Sequence, residues 1–203
     1  YMGYDYVDEY DGSRTDRFGI RRLYWVNDWP VVAYAPITVT FNADCTVTDT
    51  VYCEGTLDLT GSTFTVGGSF DLTNGTLIAG TSTVLMNSTY ESQLIPDGEQ
   101  FYILDIEGPG PIAVTGDLSA EMVKVGETVT SVLTFTKDSP GDLIVTNTLN
   151  VYSNGTITVT RSSTSGNGTG RTISADAINV MPGGVIEADG QGFDSYSGPG
   201  RAG

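Results

Sequence analysis

The chain has 203 residues, a formal net charge of −16, no histidine and two cysteines. That charge excludes a nucleic-acid module, which needs a basic stripe to meet phosphate, and it disfavours docking on anionic lipid. Without histidine, neither Ser-His-Asp nor Cys-His catalysis can be built, and the commonest zinc ligand is missing.

Only 17% of the residues are charged, so the polar surface is made of Thr, Ser, Asn and Gly. Threonine is β-branched and suits strands, whereas Gly, Asn and Ser mark turns. Helix formers are scarce, and an all-β protein follows. No run reaches the ~18 apolar residues of a membrane-spanning helix. Tyr1 is not followed by the charged and apolar regions of a signal peptide, as expected of a processed or partial chain.

Residues 1–35 are aromatic and charged, with Tyr4, Tyr6, Tyr10, Tyr24 and Trp25 among them, together with four of the seven arginines. Ile20–Val26 is strongly β-prone, and Trp29-Pro30 is expected to break it. This segment reads as a cap on the domain that follows, as an arm that donates a strand to a neighbouring copy, or as the end of a preceding domain. Residues 36–203 form the second unit.

From Thr56 onward, apolar and polar side chains alternate in short runs: Thr56–Thr60, Thr63–Val66, Ser69–Thr73 and Thr81–Leu85. Each is the period-2 mark of a strand with one buried face. Gly61-Ser62, Gly67-Gly68, Asn74-Gly75 and Ala79-Gly80 separate them at a steady beat. Leu57 and Leu77 lie 20 residues apart, as do Phe64 and Val84. Within one period Leu57, Phe64, Phe70 and Leu77 recur every six or seven residues. Three short strands per turn of ~20 residues predict a right-handed parallel β-helix, a solenoid whose coils bury alternate side chains in a central column. A β-sandwich is the alternative, favoured by strands at wider spacing.

Further along, Ile144–Ile157 resembles Ile173–Ile186 at an offset of 29. The extra length over a 20-residue coil falls in Gly/Ser-rich stretches near 161–171 and 190–203, read as side loops.

Gly75–Asn87, then Gln100-Phe-Tyr-Ile-Leu-Asp-Ile106, then Ile112-Ala-Val-Thr-Gly-Asp-Leu118, resemble the β-helix segments of prokaryotic surface proteins of the autotransporter and filamentous-haemagglutinin kind. Met181–Gly192 and Ser197–Gly203 are similar to the glycine-rich run of the same class. The resemblance covers roughly residues 50–203 and carries architecture rather than activity. It implies an exported structural or adhesive protein. The reading that follows is a non-enzymatic solenoid, extracellular or on a cell surface: a stalk, an adhesin segment or a filament subunit. Open solenoid ends and the N-terminal arm are expected to associate copies head to tail. Surface glycans are a second partner class. The alternative function is a carbohydrate-binding or carbohydrate-cleaving β-helix of the tail-spike kind.

Few residues carry chemistry. Cys45 and Cys53 are eight apart, which puts them on one face of an extended chain, and in an exported protein they are expected to form a disulfide. Asn74, Asn87, Asn154 and Asn167 stand in Asn-x-Ser/Thr sequons; three of these read Asn-Gly-Thr, which is turn chemistry in itself. Asp5, Asp8, Glu9 and Asp11 cluster near the start, and Glu187, Asp189 and Asp194 near the end. These acids leave calcium open as a ligand, but no cofactor is expected and no residue is assigned to catalysis. Acids that alternate with apolar residues, such as Asp58 and Asp71, are expected to point outward.

Overall fold

A computed structural model describes residues 38–137, 139–161 and 170–188, and the backbone of strands at 18–19, 22–26 and 29–33. Those early strands are β1 (Phe18–Gly19), β2 (Arg22–Val26) and β3 (Trp29–Ala33). The first coil holds β4 (Thr38–Thr40), β5 (Cys45–Val47) and β6 (Val51–Tyr52). The second holds β7 (Thr56–Asp58), β8 (Thr63–Val66) and β9 (Phe70–Asp71). The third holds β10 (Thr76–Ile78), β11 (Thr83–Met86) and β12 (Ser92–Ile95).

Later coils differ. The fourth is β13 (Gln100–Ile106) with β14 (Ile112–Val114), and the fifth β15 (Leu118–Val125) with β16 (Ser131–Phe135). The sixth is β17 (Leu143–Val151) with β18 (Gly155–Thr158). The seventh is β19 (Ile173–Ser174), β20 (Ala177–Val180) and β21 (Val185–Glu187).

Within the coils, strands pair with their counterparts one coil away. The order β5-β8-β11-β13-β15-β17-β19 makes one sheet, β1-β6-β9-β12-β14-β16-β18-β21 a second, and β4-β7-β10 a third. Every pair in these three sheets is parallel, for example Leu57 opposite Leu77 and Phe64 opposite Val84. The fold is a parallel β-helix with its faces stacked along one axis.

Alternation explains the core. On the first sheet Val47, Val66, Met86, Ile106, Val125, Val151 and Val180 form one inward row. Cys45, Phe64, Val84, Leu104, Val123, Leu149 and Ile178 form the next inward row. Phe41, Phe64, Phe70 and Phe101 stack through the early column at centroid distances of 5.4, 6.0 and 6.3 Å. Outward positions of the early coils carry threonine rows such as Thr38–Thr56–Thr76.

A change of phase marks where two faces merge into one bent strand. Phe101 and Leu104 are both buried although three apart, and Ala120 and Val123 repeat this in β15. An even spacing would keep both on one face of a flat strand, so the odd step is the corner. In β17 the step is four, Val145 to Leu149, with a register irregularity opposite Ala120 and Met122. That extra residue corrects the expected offset: Leu149 pairs with Ile178 at 29, but Leu143, not Ile144, faces Ile173.

In the N-terminal segment, β1 pairs in parallel with β6, and β2 with β3 as an antiparallel hairpin. The first strand of the hairpin stops at Val26, before Trp29-Pro30, and those two residues open a second strand rather than a loop. A two-stranded ribbon leaves one side of each strand unpaired, where proline is tolerated.

Candidate functional site

The described residues bring charge together at one place, the outer corner of coils four to six. Alternation sends Asp105 of β13, Lys124 of β15 and Asn150 of β17 outward in a single row, which ends at Asn179. Asn179 donates its side-chain amide to Asn150 at 3.0 Å. Glu107, just past β13, lies beside this row with Glu127 and Tyr152.

Two acids of one strand end meet opposite fates here. Glu107 accepts the backbone N–H of Glu127, of Thr128 at 2.9 Å and of Val129 at 3.2 Å, and the Thr128 hydroxyl at 2.6 Å. Successive N–H groups around one anion make a nest. Burial pushes the Glu107 carboxyl upward, but these bonds outweigh it and hold it below the usual carboxylate range.

Asp105 has no such donors. Its Oδ1 is buried without a hydrogen-bond partner, and its Oδ2 stands 3.9 Å from the Lys124 ammonium. Burial pushes its carboxyl up to about 6; Lys124 opposes the shift, while Glu107 and Glu127 add to it. Lys124 donates to Glu127 at 3.0 Å, and that bond chiefly raises the lysine. Tyr152 is also raised, by burial and then by Glu127. The corner thus holds one carboxyl that takes a proton near pH 6 and one carboxylate committed to holding the next coil.

Similar staples recur around the solenoid. Asp44 accepts the Thr63 N–H at 2.8 Å, Glu99 that of Leu77 at 2.7 Å, Asp117 that of Asp142 at 2.9 Å, and Asp142 that of Thr172 at 2.7 Å. Each joins one coil to its neighbour. Asp58 and Asp71 instead accept the N–H two residues on, from Thr60 and Thr73. Alternation sends Asp58 and Asp71 outward as expected, whereas the partners of Asp44, Glu99, Asp117 and Asp142 lie 19 to 30 residues away and leave no local pattern.

The structure draws no bridge between the two cysteines, Cys45 half-buried and Cys53 buried. An even spacing means one face only along a straight strand, and here a coil corner intervenes. Cys45 lies on β5 of the first sheet, whereas Cys53 follows β6 of the second and donates its thiol to the Gly55 carbonyl at 3.3 Å. Burial raises both thiols.

Asn74, Asn87 and Asn154 are exposed, the first and last in tight turns closed by Gly75 N–H to Leu72 and Gly155 N–H to Tyr152. Asn167 lies outside the described residues, as do Tyr4, Tyr6 and Tyr10, the early acids, Asp189 and Asp194. Tyr24 and Trp25 stand on β2, opposite Val31 and Pro30 of the same chain. Among the described residues, no group of three or more His, Cys, Asp or Glu is placed to hold a metal ion.

Comparison with models of known families, with curated proteins and with solved structures finds no match to this chain.

Proposed function

We propose that the chain is a non-enzymatic structural β-solenoid of a cell surface or extracellular space, a stalk, adhesin segment or filament subunit whose copies meet end to end. One observation carries the reading: among the described residues, the apolar column is exposed at its last coil. Ile178 and Val180 continue the two inward rows, yet they are 46% and 48% exposed. Val185 of β21 is exposed beside them. Apolar rows exposed beside strand edges are a template for further stacking. Contact between unlike ends does not close on itself and so builds a filament.

The acids support a scaffold role. Asp44, Glu99, Glu107, Asp117 and Asp142 hold backbone N–H groups of adjoining coils, which commits them to the fold. Exposed sequon asparagines and threonine-rich outer rows suit an exported surface.

Sedimentation velocity tests the proposal. The wild-type chain is expected to sediment faster as concentration rises, and Val180→Lys to stay monomeric by placing a charge in the column. A wild-type chain that remains monomeric throughout overturns end-to-end assembly.

A further inference from the structure

Arg171 is held unlike any other described side chain. Its Nε donates to the Thr160 carbonyl at 2.7 Å and its Nη1 to the Gly141 carbonyl at 2.6 Å. Nη2 donates to the carbonyls of Thr136 at 2.6 Å and Ser139 at 2.8 Å. Longer contacts reach the Thr160 hydroxyl at 3.3 Å and the Arg161 carbonyl at 3.4 Å. All six oxygens are uncharged. The guanidinium carbon also sits 5.0 Å from the centroid of the Phe135 ring, a cation–π distance. Asp142, whose carboxylate accepts the Thr172 N–H at 2.7 Å, supplies the neighbouring negative charge.

The location explains the arrangement. In the early coils the corner leading from the second sheet to the third is short, and its backbone bonds the next coil directly: Cys53 N–H to Asp71 at 2.9 Å, Leu72 N–H to Ile95 at 3.0 Å. In coils five and six this corner lengthens to 136–142 and 159–172. There the carbonyls of Thr136, Ser139, Gly141 and Thr160 turn to the guanidinium, and a buried carbonyl left unpaired costs about 1–3 kcal/mol. Five planar N–H donors in a fixed fork meet them.

We propose that the carbonyls of Thr136, Ser139, Gly141 and Thr160 form a built site for a planar cation, filled by the chain's own Arg171, and that this latch docks the seventh coil onto the sixth. The latch is independent of the function proposed above. Charge alone does not operate it; the fork must reach carbonyls of both corners at once, and lysine cannot.

Hydrogen exchange on the full chain tests this in wild type, Arg171→Ala and Arg171→Lys. Amides of Thr172–Glu187 are expected to exchange roughly tenfold or more faster in both variants, while those of Thr63–Met86 stay as in wild type. Millimolar methylguanidinium is expected to restore protection in Arg171→Ala, and tetramethylammonium, with the same charge but no donors, to leave it low. Wild-type protection of Thr172–Glu187 in Arg171→Ala overturns the latch, and so does full protection in Arg171→Lys. If Arg171→Ala yields no folded protein, Arg171→Lys carries the comparison: lost protection in the seventh coil supports the latch, and retained protection overturns it.

Discussion

Coils one to three and coils five to seven close the same column by different means. The early coils are the more regular: strands on three faces, offsets of 18 to 24 residues, short corners and a stack of phenylalanines within. In the late coils two faces merge into bent strands, offsets reach 29 and 30, and a half-buried arginine meets the carbonyls of the long corner. Backbone ladders therefore suffice where each coil repeats the last. Where coil length changes, individual side chains must supply the missing donors. Because each coil touches only its neighbours, stability in such a fold is close to a sum of local terms, and the two regions can be perturbed separately.

The largest effect is expected in the phenylalanine stack. Phe70 is fully buried between Phe64 and Phe101, and Phe70→Ala should cost about 3–5 kcal/mol in urea unfolding. A loss confined to the late coils by hydrogen exchange would break the comparison.

Next come the corner glycines. A Cβ on Gly155 would lie 2.1 Å from the Val125 carbonyl oxygen, and one on Gly110 2.1 Å from that of Tyr90. Gly155→Ala should cost about 2–3 kcal/mol, read in the same titration, since backbone rather than a flexible side chain must move.

Glu107→Gln is expected to lose about 1 kcal/mol at neutral pH, with the charge-assisted bonds to the Thr128 region weakened. Because the folded carboxyl lies below its ordinary range, its contribution is present above that range and is lost as pH falls through the folded pKa. The variant's deficit should therefore shrink in acid. A deficit independent of pH would show that the carboxylate charge does not hold the corner.

Asp105 works in the opposite sense. Its folded pKa of about 6 exceeds the ordinary 3.8, so its contribution is most favourable below the ordinary value and is lost as pH rises through 6. Asp105→Asn should gain about 1 kcal/mol near pH 7 after solvent screening, and nothing below about pH 4. Thermal unfolding at several pH values checks this; an unchanged or less stable variant at neutral pH contradicts it.

Smallest is the cysteine effect. Alkylation of the denatured, unreduced chain should add two labels, as expected from the two free thiols, and reductant should leave the unfolding midpoint unchanged. A chain that takes no label would restore the bridge expected from spacing.

Much of this architecture was legible in the residues because alternation and coil length are local properties. Leu57 opposite Leu77, Phe64 opposite Val84 and Leu149 opposite Ile178 follow from the 20- and 29-residue beats. The bend in β17 was not, since one added residue among Thr146, Asn147 and Thr148 changes no hydrophobic pattern while shifting Leu143 onto Ile173. Nor were the roles of Glu107 and Arg171. Their partners come from other coils, and a lone acid or arginine beside glycine and threonine looks like ordinary surface until the coils are stacked.

The central claim, that the open column stacks copies end to end, is tested most directly by negative-stain electron microscopy of the purified chain at high concentration. Seven coils at about 4.8 Å each make a rod of about 34 Å. Rods of uniform width and several times that length are predicted for the wild type, shortening to single particles in Ile178→Lys. Single particles of wild type at every concentration would contradict the account.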